Sequence, residues 1–301
     1  MLTVAAAIEP LKQSNEILLR EEVRWTLASS DGRPVITSNG ASLSVDGDFS
    51  ALHECDVILV CSGERVMRHI PNDLSALMRR FWKHGKTVGA LGTGSFVLAA
   101  AGLLKPRRFV LPVESTVPFR EHWPELEPKA ALYCEDGRVV TCAGGAASAD
   151  MMLNLLALKC GHSVARLAGI RCLSGGWRKG DDPQDTHADV GTPIRHQGIV
   201  RSLKWIEANY TEPFDVDACA ASAGVSRRQL ERLYNRQFGR SPVRYVNDLR
   251  LDRARNLLLE TQLSVTEIST AVGFGAVAHF SKLFRRRFGE RPSETGRWPS
   301  K

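Results

Sequence analysis

Gly224-Val-Ser-Arg-Arg-Gln-Leu-Glu-Arg-Leu-Tyr-Asn-Arg-Gln-Phe-Gly-Arg-Ser-Pro242 and Phe274-Gly-Ala-Val-Ala-His-Phe-Ser-Lys-Leu-Phe-Arg-Arg-Arg-Phe-Gly-Glu-Arg-Pro292 are two copies of one pattern, fifty positions apart. Each is a basic segment with apolar residues at helical spacing, closed by Phe-Gly (238–239 and 288–289) and then by a proline. A glycine after the last helical residue, with a proline shortly beyond, is how a helix is stopped. Ahead of each copy stands a second glycine signal, Ala-Gly-Val-Ser at 223–226 and Val-Gly-Phe-Gly at 272–275, which lets a preceding helix meet the basic one at a sharp turn. Two glycine-jointed helix pairs in tandem make a double helix-turn-helix, the pattern of a reader of double-stranded DNA.

The helices follow from this layout. Ser226 is an N-cap for a recognition helix over Arg227 to Gln237, on which Leu230, Leu233 and Phe238 fall at core spacing and leave Arg227, Arg228, Glu231, Arg232 and Arg236 on other faces. In the second copy a helix runs from Ala276 to Phe288, with Phe280, Leu283, Phe284 and Phe288 as core. An opening helix is expected over Ile199 to Tyr210, with Leu203 and Ile206 inward; Asp215 or Asp217 then begins the first helix of motif one. Ser264 begins that of motif two, with Glu267 completing a capping box. Between the motifs, Val243 to Glu260 forms one long amphipathic helix, with Val246, Leu249, Ala254, Leu257 and Leu258 for its core. It sets the separation of the two readers, about 34 Å if they enter successive major grooves.

Charge divides the chain at the same place. From Gln197 to Lys301 there are eighteen Lys and Arg against eleven Asp and Glu, whereas residues 1–196 carry twenty-two of each. A neutral domain joined to a basic one is expected, and a basic face attracts the phosphate backbone whatever its sequence. The boundaries follow as a first domain over 1–173, a linker over 174–196 rich in Gly, Asp, Pro and Thr, and a DNA-binding domain over 197–301. Asp181, Asp182, Asp185, His187 and Asp189 lie in that linker and are read as solvated charge in preference to a metal site. Seven cysteines are scattered without a Cys-x-x-Cys pair, so they are read as reduced core thiols. Cys160 and His162 could supply two metal ligands, against the plainer reading of a core thiol beside a surface histidine. No metal or cofactor is expected. The longest apolar stretch, Phe96 to Leu104, is far short of the roughly 20 residues that span a bilayer, so no membrane partner and a cytoplasmic location are expected.

The neutral half alternates strand and helix. Val23–Ala28, Val57–Cys61, Thr87–Leu91 and Val139–Cys142 are short and β-branched; Asp73–His84, Ser95–Leu104 and Ala146–Cys160 have helical patterns. That alternation predicts a parallel sheet with helices on both sides. Such sheets hold ligands where a strand ends and a helix begins, and Gly89-Ala-Leu-Gly-Thr-Gly-Ser95 is that kind of turn. Its amides suit an anion or carboxylate; the alternative is that its glycines serve close packing.

In the order of its elements and in two motifs, Gly92-Thr-Gly-Ser-Phe-Val-Leu-Ala-Ala-Ala-Gly-Leu-Leu104 and Thr141-Cys-Ala-Gly-Gly-Ala-Ala-Ser-Ala-Asp-Met-Met-Leu153, the first half resembles the PfpI and class I amidotransferase-like fold. With the tandem motif behind it, the chain resembles over nearly its full length the GlxA-type branch of AraC-family transcription regulators. The resemblance implies a flavodoxin-like, parallel-sheet α/β domain followed by an all-α double helix-turn-helix domain. It places Arg228, Glu231 and Arg232 of the first recognition helix, and Val277, Ala278, His279, Ser281 and Lys282 of the second, toward bases. Arg227, Arg236 and Arg286 are also expected at the DNA, with Arg285, Arg286 and Arg287 split between phosphates and solvent. An arginine suits a guanine edge and small apolar groups suit thymine methyls, although for any one arginine a phosphate contact is as common. It implies a homodimer, contact with RNA polymerase and, in function, an activator.

Enzymes of this fold carry a cysteine at the sharp turn and a histidine after the next strand. Those places fall at Gly92 and near Pro112, so neither a nucleophile nor its base is present and the domain is expected to be a sensor. The opposing readings are a hydrolase or amidotransferase with a DNA anchor and, more weakly, a constitutive architectural protein. The expected effector is an amino-acid-like or quaternary-amine zwitterion, its carboxylate received by Gly92, Thr93, Gly94 and Ser95 and its cation by Glu9; Glu9 read as a first-turn helix residue is the alternative. Trp25, Trp82, Trp123 and Trp177 are available for a cation cage. The fold normally begins with a strand ahead of the Glu9 helix, so either the natural start lies upstream of Met1 or the sheet has adapted.

Overall fold

The three apolar runs at 57–62, 87–92 and 139–142 become neighbouring parallel strands. The computed structural model describes residues 1–69, 73–172, 177–184 and 196–295, in two units divided between Gln184 and Asp185. In the first unit, α1 (Leu2–Leu18) precedes four two-residue strands, β1 (Ala28–Ser29), β2 (Val35–Ile36), β3 (Ser42–Leu43) and β4 (Gly47–Asp48). Then come β5 (Val57–Ser62), α2 (Val66–His69), α3 (Leu74–Lys83), β6 (Thr87–Gly92), α4 (Ser95–Ala100) and α5 (Thr116–His122). A hairpin of β7 (Tyr133–Asp136) and β8 (Val139–Cys142) leads into α6 (Ala147–Cys160) and α7 (His162–Arg171).

The main sheet has the order β5-β6-β8-β7, parallel except for β7 at its edge. Successive side chains on a strand point to opposite faces. Val88 and Ala90 of β6 accordingly join Met78, Phe81, Phe96 and Phe119 from α3, α4 and α5 on one side. Leu91, Val140 and Cys142 join Leu11, Met151, Leu153 and Ala165 from α1, α6 and α7 on the other. Both faces are therefore covered by helices, as the alternation predicts.

Three details differ from expectation. The antiparallel edge strand β7 is additional. Residues 23–27 are not a strand, because side chains take the bonds that a neighbour would offer: Asn15 accepts from the Glu22 and Val23 amides and donates to the Val23 carbonyl, and Asp46 accepts from the Leu27 amide. Only Ala28–Ser29 pairs, with β4. Lastly, part of the stretch expected as a linker is bound to the first unit. Gly180 accepts from the Leu132 and Tyr133 amides, Gln184 donates to the Leu111 and Ala131 carbonyls, and Arg178 grips the buried Asp150 carboxylate at 2.7 and 2.9 Å. The remainder of that stretch up to residue 195, with Asp185, His187 and Asp189, lies outside the described residues, apart from residue 196, which caps the next helix.

Among the described residues, the regular elements of the second unit are all helices: α8 (Gln197–Asn209), α9 (Val216–Ala223), α10 (Arg227–Phe238), α11 (Pro242–Glu260), α12 (Val265–Ala271) and α13 (Val277–Phe288). The capping residues act as their chemistry dictates. Asp215, not Asp217, starts α9 by accepting two backbone N–H groups, and Ser226 and Ser264 form full capping boxes with Gln229 and Glu267. Leu203, Ile206, Leu230, Tyr234 and Val246 make the first motif's core, and Phe274, Phe280 and Phe284 are buried in the second. Arg250 of α11, 6% exposed, donates to the carbonyls of Tyr210 and Glu212 and faces the Phe274 ring, which ties the two motifs together.

Candidate nucleic-acid interface

The two recognition helices are copies in space as well as in sequence. Helices α10 and α13 have the same length and begin fifty positions apart, with buried pairs Leu230/Tyr234 and Phe280/Phe284 in matching places. Residues four apart stack on one face of a helix, so Arg228, Arg232 and Arg236 form an exposed stripe on α10. On α13 the corresponding stripe is Ala278, Lys282 and Arg286, also exposed. No hydrogen-bond or ion-pair partner engages Arg228, Arg232 or Arg236 among the described residues. Three unpaired guanidiniums on one line are a ready track for phosphates and guanine edges.

The other expected residues divide. Arg227 and Glu231 are turned to each other at 3.1 Å, and Arg227 also reaches Asp217 at 3.3 Å. The Glu231 hydrogen bond and the Asp217 charge raise the Arg227 pKa, so both side chains are engaged along the helix flank. On α13, Val277 and Ser281 are half-buried, and the exposed His279 packs edge-on to Phe274 at 6.0 Å. Arg285 and Arg291 join Ser281, Lys282 and Arg286 around an open groove of about 650 Å³. Arg291 is a cation of this groove outside the expected set; it stands two residues after the Gly289 cap and directly before Pro292, which lines the same groove.

The turn in the first unit is arranged differently from expectation. Gly92 ends β6 with φ +64, a left-handed conformation, and a side chain there would start 2.9 Å from the Ser62 carbonyl oxygen. Thr93 donates to the Gly63 carbonyl, and Ser95, with no exposure, donates to that of Val110 at 2.8 Å. Both hydroxyls thus tie loops together, and every residue from Gly92 to Ser95 is buried. Gly94 packs against Val60, where a Cβ would lie 2.2 Å from the carbonyl oxygen, so close packing explains this glycine. It is Thr3 at the start of α1 that reaches this region, accepting from the Gly145 amide at 3.0 Å. Glu9 lies six residues on, about 9 Å along the helix by its rise, and its carboxylate is held by Gln13 and Lys12, which lower its pKa.

The four tryptophans are not brought into one cage. Trp82 is flanked by Arg107 and Arg138 at 5.0 and 5.3 Å, Trp123 packs on Phe96 and Phe119, Trp177 lies by His162, and Trp25 is exposed. No group of three or more potential metal ligands occurs among the described residues, and no helix among them is long and apolar enough to cross a membrane.

Cys142, at the end of β8, is fully buried, and burial pushes its thiol up to about 11 against the opposing pull of the Gly144 amide and Ser148. The folded chain therefore keeps a proton that the unfolded chain releases near 9, so this thiol's contribution to stability is complete below about pH 9 and lost as pH rises to about 11. Two pH units correspond to on the order of 2 kcal/mol. Urea melts of wild type and Cys142→Ala between pH 8 and 11 should converge by about that amount; a gap constant with pH would refute the assignment.

Comparison with known proteins agrees with this architecture. The profile of the DJ-1/PfpI family matches residues 7–158, and that of a helix-turn-helix domain matches residues 219–297. The chain is 35% identical over 289 residues to the HTH-type transcriptional regulator CdhR of Pseudomonas aeruginosa, covering 96% of this chain and 86% of that protein. It is 32% identical over 298 residues to the HTH-type transcriptional regulator GlxA of Rhizobium meliloti, covering 99% and 92%. The crystal structure of an AraC family transcriptional regulator from Pseudomonas putida superposes with a TM-score of 0.51 at 24% identity, covering 57% of this chain and 92% of that one, a likeness of fold.

Proposed function

The chain belongs to the AraC-family transcriptional regulators that join a DJ-1/PfpI-like domain to a C-terminal helix-turn-helix domain, and on that premise we propose that it is a sequence-specific, effector-controlled regulator with a catalytically silent sensor domain. The observation that carries the specific reading is the pair of exposed stripes, Arg228/Arg232/Arg236 and Ala278/Lys282/Arg286. In this reading the first stripe supplies arginines to guanine edges and phosphates, and the second combines a small apolar contact with two cations. Arg232→Ala should cost about 1–3 kcal/mol of binding and relax preference at one base position. Selection from random duplexes checks this: an unchanged preferred sequence would remove Arg232 from base readout.

Silence of the sensor domain is supported by Gly92 at the nucleophile's place and by the high pKa of buried Cys142, which leaves almost no thiolate near neutrality. The proposed effector is a small amino acid or quaternary amine bound at the carboxyl ends of β5, β6 and β8 through backbone groups of the Gly92–Ser95 turn, with Glu9 outside that place. In this reading the regulator acts in the cytoplasm as a homodimer and activates transcription through RNA polymerase. A thermal-shift screen of the full chain with amino acids and betaines, followed by operator titration with each hit, tests the sensor. A screen in which no compound raises the melting point or alters operator affinity defeats it.

A further inference from the structure

One carboxylate on the connecting helix receives an arginine from each motif. Asp248 Oδ2 accepts from Arg240, which directly follows the Gly239 cap of α10, at 2.7 Å. Its other oxygen, Oδ1, faces Arg287 of the last turn of α13 at 3.1 Å. Arg287 also donates through Nε and Nη2 to Asp252, one turn further along α11, at 2.7 to 3.0 Å. The Asp248, Arg240 and Arg287 side chains are only 17%, 20% and 30% exposed. Within the run of three arginines at 285–287, then, Arg287 is committed to the protein.

This placement has a mechanical consequence. The carboxyl ends of both recognition helices are pinned to one residue of the helix that separates them. The central pair, Asp248 with Arg240, is shielded, while Asp252 at the outer end is 50% exposed. A network in fork geometry around a shielded carboxylate holds an angle better than an exposed single pair, because its centre is less screened and its arginine donors are planar. Resting on the DNA-binding reading above, we infer that Asp248, with Asp252 and Arg287, is the joint that sets the relative placement of the two readers and thereby the half-site spacing the protein accepts. Asp248 is a positioning residue; it touches no base.

Electrostatics alone makes the opposite forecast, which gives the test its discrimination. Removing a negative charge from a DNA-binding surface strengthens binding to every duplex by favouring phosphate contact. The joint predicts that Asp248→Asn weakens binding at the preferred spacing while narrowing the difference between spacings. The probes are the duplex that wild-type full-length chain selects from random DNA, and the same duplex with one base pair inserted or removed between its half-sites. Fluorescence anisotropy should give an affinity about tenfold lower for Asp248→Asn at the native spacing and near-equal affinities across the three duplexes, whereas wild type separates them. Arg287→Lys, which keeps the positive charge and loses the fork, should show the same narrowing, and it decides the question if Asp248→Asn does not fold. Spacing preference identical to wild type, or a uniform change on all three duplexes, overturns the joint. Failure of wild type to select any duplex would instead overturn the DNA-binding reading itself.

Discussion

Gly273→Ala is expected to destabilise the second unit by about 3 kcal/mol or more and to reduce operator affinity to that of the first motif by itself. Two costs add at this position. Gly273 has φ +83, which a β-carbon disfavours by roughly 1–2 kcal/mol. That carbon would also lie 2.4 Å from the Thr211 carbonyl oxygen, 2.8 Å from its carbon and 2.9 Å from its Cα. All three are backbone atoms of a loop that cannot swing aside, because Arg250 holds the carbonyls on either side of Thr211 and Arg253 stacks on Tyr210 at 4.0 Å. Gly289→Ala is the control: its φ is +79 but nothing lies within 4 Å of the added carbon, so it should cost only the conformational part. For a unit of this size the difference corresponds to a drop in melting temperature of roughly 10 °C beyond that of the control. Calorimetry that finds Gly273→Ala no worse than Gly289→Ala would show that the two motifs do not meet at Thr211.

Gly94→Ala should be as damaging to the first unit for a purely steric reason. Gly94 has ordinary right-handed geometry, φ −53 and ψ −21, so no backbone penalty arises. Its added carbon would sit 2.2 Å from the Val60 carbonyl oxygen and 3.0 Å from that carbonyl's carbon, in the middle of β5. Relief requires β5 to move away from the start of α4, which breaks contacts of Phe96 and Leu98, both without exposure. A loss above about 3 kcal/mol is expected, the range of severe overpacking against backbone. Gly102→Ala, open on all sides at φ +70, should lose only about 1 kcal/mol. Equal melting curves for the two variants would mean that β5 and the turn are not in contact.

The two mutants illustrate how unevenly the sequence displays its own structure. Helix positions 227–238 and 277–288 were legible because a local signal, Phe-Gly-x-x-Pro, closes each one, and caps and periodicity need no distant partner. Strands 57–62, 87–92 and 139–142 were legible because each is a short, largely apolar run, and the last two are buried along nearly their whole length on both faces. The strand expected at 23–28 failed for the converse reason: Val23, Trp25 and Leu27 alternate well, but pairing depends on a neighbour, and Asn15 and Asp46 reach those amides first. Arg227 and Glu231 look from spacing like readout residues, yet an (i, i+4) pair of opposite charge can satisfy itself.

What the amino-acid order determined without help is the architecture: a parallel-sheet α/β fold, a tandem helix-turn-helix and basic residues on the outer faces of the two basic helices. Those features arise from periodicity, capping and turn chemistry, all of which act over a few neighbouring residues. Only the tertiary structure decided which of the promising side chains remain available. It spends Ser95 and Thr93 on internal carbonyls, binds Glu9 within α1, scatters the tryptophans and turns Arg287 onto Asp248 and Asp252. The physical reason is that a polar group is claimed by whichever partner folding brings within hydrogen-bond reach, and such partners can lie tens of residues away, as Asp248 does from Arg287, where no local pattern records them.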